Sequence, residues 1–352
     1  MPEQSVLIVG GGPAGMEAAR GVADLGYKAI LVEKRNRLGG TPDEAHYAAL
    51  TPDFRSAEEA MQEMADAVQN HPNVELHLSS TVTAASGSVG DFEITLKNAK
   101  GSETVKAGAV IIATGFTHFD PGRETQQYGY YEFDDVITLV DLEKMLKAHK
   151  VVRPSNGQPP KRLCFIQCVG SRDRQIGNEY CSKVCCGIAS KEAIEVRQQL
   201  PDCKVFIFYI DMRMYGYWES QIYWPAQEKY KVNYIKGIAT EVLKKGDQLI
   251  VRGEDATFGR PMEVPMDIVV LSVGMEPSAG TKEMAEIFGL ETNKYNFIET
   301  IGGALNTVTT SKEGVFACGA CTGPADLEDS ISSASAAALK AVSILRRMAQ
   351  AA

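Results

Sequence analysis

Apolar and polar positions along the first part of the chain alternate with the periods of strands and helices. Residues 5–9 form a short apolar run, and a glycine-rich turn separates them from an amphipathic pattern over residues 16–25. A second apolar run over residues 28–32 ends at Glu33. A strand, a helix and a strand in this order predict a βαβ unit with parallel strands.

Similar patterns continue along the rest of the chain. In the first part they predict a helix over residues 58–69 and strands over 74–78, 92–96, 103–105 and 109–113. Residues 154–161 are rich in Pro and Gly and show no period, which predicts a linker. Beyond it the patterns predict strands over 163–167, 204–210, 233–236, 248–252 and 267–272, and helices over 190–199 and 330–347.

Composition narrows the class of protein. The chain has 352 residues, 44% of them hydrophobic and 23% charged, which is typical of a globular protein of two to three domains. A net charge of −9 disfavours binding to nucleic acid or to an anionic membrane surface. The first five residues show no cationic leader, and no apolar run approaches the ~20 residues of a membrane span. We therefore expect a cytoplasmic protein, whose eight reduced cysteines are metal ligands or redox groups.

The turn after the first strand reads Gly10-x-Gly12-x-x-Gly15, with Glu33 at the end of the second strand. Gly10 permits a tight turn, Gly12 lets the backbone approach a pyrophosphate, and Gly15 lets the helix pack closely on the strand. The helix N-terminus attracts the phosphates, and Glu33 can accept hydrogen bonds from ribose hydroxyls. The turn therefore predicts a dinucleotide site, although the motif alone does not separate FAD from NAD.

Two later motifs favour FAD. Ala113-Thr114-Gly115 follows an apolar strand, and residues 314–319 read Gly-Val-Phe-Ala-Cys-Gly. Both resemble signatures of flavoproteins with two dinucleotide-binding domains, although Ala320 stands where many of those proteins have Asp. The resemblance implies an α/β fold of the thioredoxin-reductase and disulfide-reductase type, in which a discontinuous FAD domain carries an inserted, degenerate NAD-like domain. We assign residues 1–150 to the first part of the FAD domain, 151–275 to the insertion, and 276–352 to the returning FAD segment with its C-terminal helix.

A cysteine loop stands where a second glycine motif is expected. After the strand predicted over residues 163–167, the spacing is C-x12-C-x3-C-C, formed by Cys168, Cys181, Cys185 and Cys186. Four soft thiolates suit one four-iron cluster. A tetrahedral zinc site is the main alternative, although the paired C-x2-4-C knuckles typical of zinc are absent. A redox dithiol at Cys185-Cys186 is a third interpretation.

The other cysteines carry weaker signals. Cys164 and Cys203 lie in apolar strands and are expected to be buried. Cys318-x-x-Cys321 has the spacing of a redox dithiol but lies in the loop expected to touch the flavin, so we favour a structural role. A flavin-linked dithiol or a spare metal ligand is the alternative. The aromatic stretch over residues 215–224 predicts core packing or an interface.

Taken together, the motifs resemble the A-type subunits of heterodisulfide reductases and their relatives. The resemblance is carried by Tyr128-Gly129-Tyr130, by residues 136–138 and 142–146, by the cysteine loop, and by residues 323–338. It implies that Cys168, Cys181, Cys185 and Cys186 hold a 4Fe-4S cluster. It also implies flavin contacts from Gly10, Gly12, Pro13, Ala14, Gly15, Glu33, Lys34, Gly39, Gly40, Val82, Ala113, Thr114, Gly115, Gly319, Ala320, Gly323, Pro324, Asp326 and Leu327.

Departures from that family point to a short form. Residues 39–55 contain no cysteine, and no ferredoxin-type cysteine pattern occurs anywhere in the chain. The chain thus resembles the A-type member of heterodisulfide-reductase-like complexes of sulfur-oxidising prokaryotes, with the A-type member of the quinone-interacting oxidoreductase of sulfate reducers as an alternative. The resemblance implies an FAD and iron–sulfur electron-transfer protein, a homodimer, that works with B- and C-type subunits and electron carriers. The residues also leave open an NAD(P)H-dependent flavin disulfide reductase and a non-enzymatic scaffold that binds zinc.

Overall fold

Parallel sheets covered by helices make up most of the structure, a computed structural model that describes residues 3–124 and 127–351. The chain divides into two units, each built from separate stretches of sequence. The first contains Met1–Glu44, Glu59–Thr117 and Glu276–Ala352, and the second contains Ala45–Glu58 and His118–Met275. Met1 and Pro2, which belong to the segment from which the lack of a leader is predicted, lie outside the described residues.

The first unit has a five-stranded parallel sheet. Its strands are almost wholly apolar and buried, as expected where helices cover both faces. Their spatial order is Val315–Ala317, Ala109–Ile112, Ser5–Val9, Lys28–Val32 and Val74–His77. The helix Pro13–Asp24 packs against the long C-terminal helix Leu327–Ala351, and small residues let the two approach closely: a Cβ on Gly21 would lie 3.2 Å from Ala338.

A three-stranded antiparallel sheet and further helices complete this unit. The sheet contains Thr81–Ser88, Asp91–Asn98 and Gly101–Ala107, in that order. Its buried face supplies Phe92 and Ile94 to a hydrophobic core that also contains Met284 and Phe288 of the helix Ala279–Phe288. The remaining helical segments are Gly40–Glu44, Ala57–Gln69, which runs across a boundary between the units, and the short 3-10 turns Gly303–Leu305 and Gly319–Cys321.

The second unit has a seven-stranded mixed sheet. Its spatial order is Arg260–Met266, Gln248–Asp255, Asn233–Lys245, Lys204–Tyr209, Arg162–Val169, Ile268–Val273 and Val136–Thr138. The first three strands form an antiparallel meander, and the others are parallel. The main helices are Leu139–Lys147 and Cys185–Gln199. Shorter helical segments are Pro121–Glu124, Glu219–Tyr223 and Trp224–Glu228.

Short strands Phe116–His118 and Met275–Pro277 lie where the chain crosses from one unit to the other. The boundary predicted at residue 150 falls inside the second unit, because Val136–Thr138 pairs with Ile268–Val273 and the helix Leu139–Lys147 follows it directly. Among residues 3–124 and 127–351, none of the helices combines the length and apolarity that a bilayer span requires.

The strands and helices predicted from the sequence are present, with ends that shift by a few residues. The helix predicted over 190–199 begins five residues earlier, at Cys185, and the helix predicted over 330–347 spans Leu327–Ala351. The sequence missed several elements with weak apolar periods. They are the strands Thr81–Ser88, Val136–Thr138 and Arg260–Met266 and the helices Leu139–Lys147 and Ala279–Phe288.

Candidate functional site

The glycine turn of the first unit is shaped by close packing at two of its three glycines. Gly10 has φ +112°, and a Cβ there would lie 2.3 Å from the carbonyl oxygen of Ala113. A Cβ on Gly15 would lie 1.7 Å from the carbonyl oxygen of Gly10. At Gly12 the nearest atom, Cα of Gly40, would be 3.5 Å from a Cβ. Packing within the protein therefore requires glycine at Gly10 and Gly15, but not at Gly12.

The helix that follows the turn offers free backbone donors. Gly12 is its N-cap and no side chain caps it, while Pro13 occupies the first turn. The first N–H groups of a helix lack partners within it, and the helix dipole places partial positive charge at the same end. Gly319 lies beside this end, since a Cβ there would be 2.8 Å from the Cβ of Ala14. This end of the helix thus fits an anionic group such as a pyrophosphate.

Glu33 is connected to the glycine turn by hydrogen bonds. The residue is 6% exposed, and its carboxylate accepts from the backbone N–H of Gly11 at 2.6 Å and of Arg35 at 2.7 Å. The segment at Gly39 and Gly40 joins the same place: Gly39 N–H donates to Gly11 O at 2.9 Å, and a Cβ on Gly40 would lie 2.5 Å from Cα of Gly12. The carboxylate therefore stands beside the turn that is predicted to hold the dinucleotide.

The remaining predicted flavin contacts occupy different environments. Ala113 continues from the strand beside the glycine turn, and its N–H donates to Val9 O at 2.8 Å. Thr114 is fixed through its hydroxyl, 2.8 Å from that of Thr281, and Gly115 has φ +69°. Lys34 is exposed and Val82 packs in the hydrophobic core. Ala320 is 7% exposed. Asp326 accepts from Asp329 N–H at 2.7 Å at the start of the helix that begins with Leu327, near Gly323 and Pro324 in the chain.

The cysteine loop of the second unit begins at an irregularity in the sheet. The strand Arg162–Val169 changes register against its neighbour between Ile166 and Val169. Cys168 has φ +63°, and Arg172 and Lys183 have φ +56° and +64°. Each left-handed non-glycine residue costs roughly 1–2 kcal/mol, and such residues concentrate at functional sites. This backbone strain indicates that the loop holds its side chains for a purpose other than packing.

Three of the four loop thiols form a hydrogen-bonded chain. Cys185 lies between Cys168 and Cys186 and contacts the sulfur of each. The Cys186 thiol also donates to the carbonyl oxygen of Asp211 at 3.9 Å. The fourth sulfur, on Cys181, accepts from the backbone N–H of Lys183 at 3.3 Å. All eight cysteines are free.

Cationic side chains surround the thiols. Arg172 donates to the Cys168 sulfur and forms an ion pair with Asp211, which also lies 3.5 Å from the Arg213 guanidinium. Arg213 faces Cys181, whose negative charge raises the pKa of the guanidinium. Arginine charges beside cysteines favour the thiolate form, which is the form that binds metals.

The pKa values of the thiols differ along the chain of contacts. The hydrogen bond from Cys185 and the charge of Arg172 lower the pKa of Cys168 to about 7, despite its burial. Cys185 keeps its proton, because its hydrogen bonds to the neighbouring sulfurs and its burial raise its pKa. The hydrogen bond from Cys185 lowers the pKa of Cys186. Thiolate is therefore available near neutral pH within a partly buried group of sulfurs.

The donor set fits a group that binds several thiolates. Four free cysteines, two arginines and strained backbone meet in one loop, and Gln167 and Ser171 beside Cys168 carry buried polar atoms without hydrogen-bond partners in the described structure. Within residues 3–124 and 127–351, however, no three His, Cys, Asp or Glu side chains are arranged to hold a single metal ion. The geometry thus gives the zinc interpretation no support.

Cys318 and Cys321 behave as buried structural residues. Both are 0% exposed, and the Cys321 thiol donates to the carbonyl oxygens of Ile112 at 3.3 Å and Cys318 at 3.1 Å. Burial raises the pKa of Cys318 and raises that of Cys321 to about 11. The protonated thiols favour the structural interpretation over a redox dithiol.

A buried ionic group on the helix Cys185–Gln199 was missed by the sequence analysis. Lys191 is 1% exposed, and its ammonium group contacts Glu143 and donates to Ala49 O at 2.9 Å. Glu195 lies 3.1 Å from the same ammonium group. Glu192 is 0% exposed, and burial raises its pKa well above the usual range. The one sequence signal was the i,i+4 spacing of Lys191 and Glu195, which is common on exposed helices as well.

Known proteins resemble the chain in sequence over most of its length. Residues 4–166 match the family described as pyridine nucleotide-disulphide oxidoreductase. The A-type component of the H(2):CoB-CoM heterodisulfide,ferredoxin reductase of Methanothermobacter thermautotrophicus is 30% identical over 421 residues, which cover 96% of this chain and 63% of that protein. The iron-sulfur component, A-type, of the CoB-CoM heterodisulfide reductase of Methanocaldococcus jannaschii is 31% identical over 429 residues, or 97% and 64% of the two chains. The chain therefore spans slightly less than two thirds of the length of these relatives.

Solved structures resemble the chain in fold. Thioredoxin reductase from T. acidophilum matches with a TM-score of 0.66 and 21% identity, over 97% of this chain and 99% of that one. Thioredoxin reductase from Lactococcus lactis matches with a TM-score of 0.65 and 19% identity, over 98% and 99%. The predicted fold class and the predicted resemblance are both confirmed. The chain is a homologue of the A-type subunits of heterodisulfide reductases and has the fold of the pyridine nucleotide-disulphide oxidoreductases.

Proposed function

We propose that this chain is an electron-transfer subunit that carries FAD and a 4Fe-4S cluster within a heterodisulfide-reductase-like complex. The observation that carries the proposal is the cysteine loop, which follows the strand Arg162–Val169 where a second glycine motif is expected. Three of its thiols contact one another beside two arginines. The names of the relatives, which describe components of heterodisulfide reductases and in one case an iron-sulfur component, support the same assignment.

The residues of each unit have distinct tasks in this proposal. The glycine turn and the uncapped helix end hold the pyrophosphate of FAD, and Glu33 orients a ribose. Cys168, Cys181, Cys185 and Cys186 hold the cluster, and Arg172 and Arg213 offset part of its negative charge. When bound, FAD exchanges two electrons and the cluster one, so the pair converts between two-electron and one-electron transfer.

The wider setting of the proposal rests on the cysteine content of the chain. The sequence has no cysteine in residues 39–55 and no ferredoxin pattern, so its cysteines provide for one cluster. Chemistry on a sulfur or disulfide substrate then falls to B- and C-type partner subunits. We place such a complex, with this chain as a homodimer, in the cytoplasmic oxidation of sulfur compounds. The A-type member of a quinone-interacting oxidoreductase is the alternative.

The first test is metal and flavin content after anaerobic purification. We expect one FAD and about four irons per chain. Cys181→Ser should lose iron and keep FAD, because Cys181 is partly exposed and lies in a different unit from the glycine turn. Cys203→Ala is the matched control, since Cys203 is buried outside the loop, and it should keep both. Wild-type protein with zinc or without metal would contradict the cluster.

A second test asks whether the two cofactors communicate. The wild-type protein is reduced through its flavin while the electron paramagnetic resonance signal of the cluster is followed. The proposal predicts that the cluster signal changes as the flavin is reduced and reoxidised. Flavin turnover with an unchanged cluster signal would contradict an electron-transfer role.

An NAD(P)H-dependent flavin disulfide reductase is the second candidate, because residues 4–166 match the pyridine nucleotide family. It requires a nucleotide site in the second unit, where Cys168 and the strained loop replace the glycine motif. NADH or NADPH would then bleach the flavin directly, whereas the electron-transfer proposal predicts no bleaching. A scaffold would give colourless protein that contains zinc.

A further inference from the structure

Two buried polar side chains beside Cys168 have no hydrogen-bond partner within the described part of the chain. They are the amide group of Gln167, at both its nitrogen and its oxygen, and the hydroxyl of Ser171. Gln167 is 7% exposed and Ser171 is 2% exposed. A buried polar group without a partner costs about 1–3 kcal/mol, so folded proteins rarely keep one without a reason.

Both residues are fixed close to the first cysteine of the loop. Gln167 precedes Cys168 directly in the chain, where the strand changes register. The backbone N–H of Ser171 donates to Cys168 O at 3.3 Å, which closes a turn through Gly170 at φ +77°. Their positions are therefore determined by the same strained backbone that positions the Cys168 sulfur.

Neighbouring buried serines are satisfied, which makes the two groups stand out. Ser182, in the same loop, accepts from the backbone N–H of Met275 at 3.3 Å. Ser190, on the helix that starts at Cys185, pairs with the Tyr234 hydroxyl at 2.9 Å. Among the described residues, comparable hydroxyls near the loop thus have partners and the Ser171 hydroxyl does not.

We propose that the Ser171 hydroxyl and the Gln167 amide nitrogen donate hydrogen bonds to sulfur atoms of the cluster bound by the loop. This inference rests on the proposed function, which supplies the sulfur acceptors. Both residues are positioning residues, because they act on the cluster and not on a substrate. Hydrogen bonds to sulfur stabilise the more negative, reduced state of a cluster, so these donors raise its reduction potential.

The test measures the midpoint potential of the cluster in the full-length protein under anaerobic conditions, by redox titration followed by electron paramagnetic resonance. Ser171→Ala and Gln167→Met should each make the potential more negative while the iron content stays at the wild-type value. Ser171→Thr keeps a hydroxyl and should restore the wild-type potential. Ser190→Ala is the matched control, because it removes a buried hydroxyl that already has a protein partner, and its potential should equal that of the wild type.

Resonance Raman spectra supply a readout that is independent of potential and activity. Iron–sulfur bands of the wild type should shift on exchange into D2O, and the shift should shrink in Ser171→Ala. If Ser171→Ala loses its iron while Ser171→Thr keeps it, the hydroxyl is still required and the inference holds. Full iron content with wild-type potentials in both Ser171→Ala and Gln167→Met would overturn it. Wild-type protein without iron would instead refute the proposed function, and the inference with it.

Discussion

Gly12 and Gly15 lie in the same turn, yet their missing side chains have different explanations. A Cβ on Gly15 would overlap the carbonyl oxygen of Gly10 at 1.7 Å, whereas a Cβ on Gly12 would have 3.5 Å to its nearest neighbour. Gly12 also has φ −78°, which any residue adopts. Packing explains Gly15 completely, so the glycine at Gly12 is best explained by a ligand that approaches its backbone.

This difference predicts opposite effects for two alanine variants. Gly15→Ala should destabilise the protein by about 3 kcal/mol, because the helix must move away from the turn. Gly12→Ala should cost less than about 1 kcal/mol but should still lose FAD. Urea unfolding of the apoproteins and flavin content after purification separate the two effects. A Gly12→Ala variant that binds FAD as the wild type does would contradict the predicted pyrophosphate site.

His118 gives the second unit a dependence on pH. Its ring nitrogen lies 2.9 Å from the Tyr47 hydroxyl, and burial, assisted by the charge of Lys144, lowers the pKa of His118 to about 4. An unfolded histidine titrates near 6.5, so between about pH 4 and 6.5 the unfolded chain binds more protons than the folded one. The contribution of the neutral ring to stability is therefore complete above about pH 6.5 and is lost as the pH falls.

For the wild type we expect the free energy of unfolding to fall by up to about 3 kcal/mol from this group between pH 7 and 4. His118→Gln keeps an acceptor for Tyr47 but does not titrate, so its stability should fall less steeply over the same range. Urea unfolding at several pH values measures both curves. Parallel curves for the two proteins would show that His118 is not held neutral.

At the scale of elements, the helix Cys185–Gln199 combines two buried polar sites. Its first turn carries Cys185 and Cys186, and its middle carries Lys191, which contacts Glu143 of the helix Leu139–Lys147. Glu143 also accepts from the backbone N–H of Ala48 at 2.7 Å, and Lys191 donates to Ala49 O. The ion pair thus fastens residues 45–58 to the rest of the second unit, although these helices lie far along the chain.

Removal of the buried lysine should therefore be costly. Lys191→Met leaves the Glu143 carboxylate buried without its cation, which should destabilise the protein by about 3–5 kcal/mol in urea unfolding at neutral pH. The double variant Lys191→Met/Glu143→Gln should recover part of that loss, because no uncompensated charge remains. Lys147→Met is the control: its ion pair with Glu58 is exposed, so the change should cost under about 1 kcal/mol. Equal losses for the two lysine variants would contradict the role of Lys191.

At the scale of the whole molecule, each unit has its own sheet and its own hydrophobic core. The glycine turn belongs to the first unit and the cysteine loop to the second. Under the proposed function, each unit therefore carries one redox group, and the capacity of the chain is the sum of both.

That capacity can be counted. Anaerobic titration with dithionite should consume about three electrons per chain, two for FAD and one for the cluster. Cys185→Ser/Cys186→Ser should consume about two, because only FAD remains. A wild-type value of two, at full flavin content, would contradict a redox-active cluster.

The sequence by itself determined the features that depend on neighbouring residues. The βαβ unit, the Gly10-x-Gly12-x-x-Gly15 turn and the four-cysteine spacing are local patterns, so strand and helix periods and backbone requirements are visible in the order of residues. Ser5–Val9 and Lys28–Val32 were correct to the residue because both strands are apolar runs bounded by turn residues. The weakly periodic strand Thr81–Ser88 was missed, since Val82 is its one buried residue.

Only the tertiary structure decided the features that depend on residues far apart in the chain. It paired Val136–Thr138 with Ile268–Val273 and so moved the boundary between the units to residue 117. It brought Glu33 to Gly11, Gly40 to Gly12 and Lys191 to Glu143. It also showed that Gln167 and Ser171 are buried without partners among the described residues. Burial and partner choice are set by packing between distant segments, and no local period of the sequence encodes which segments will meet.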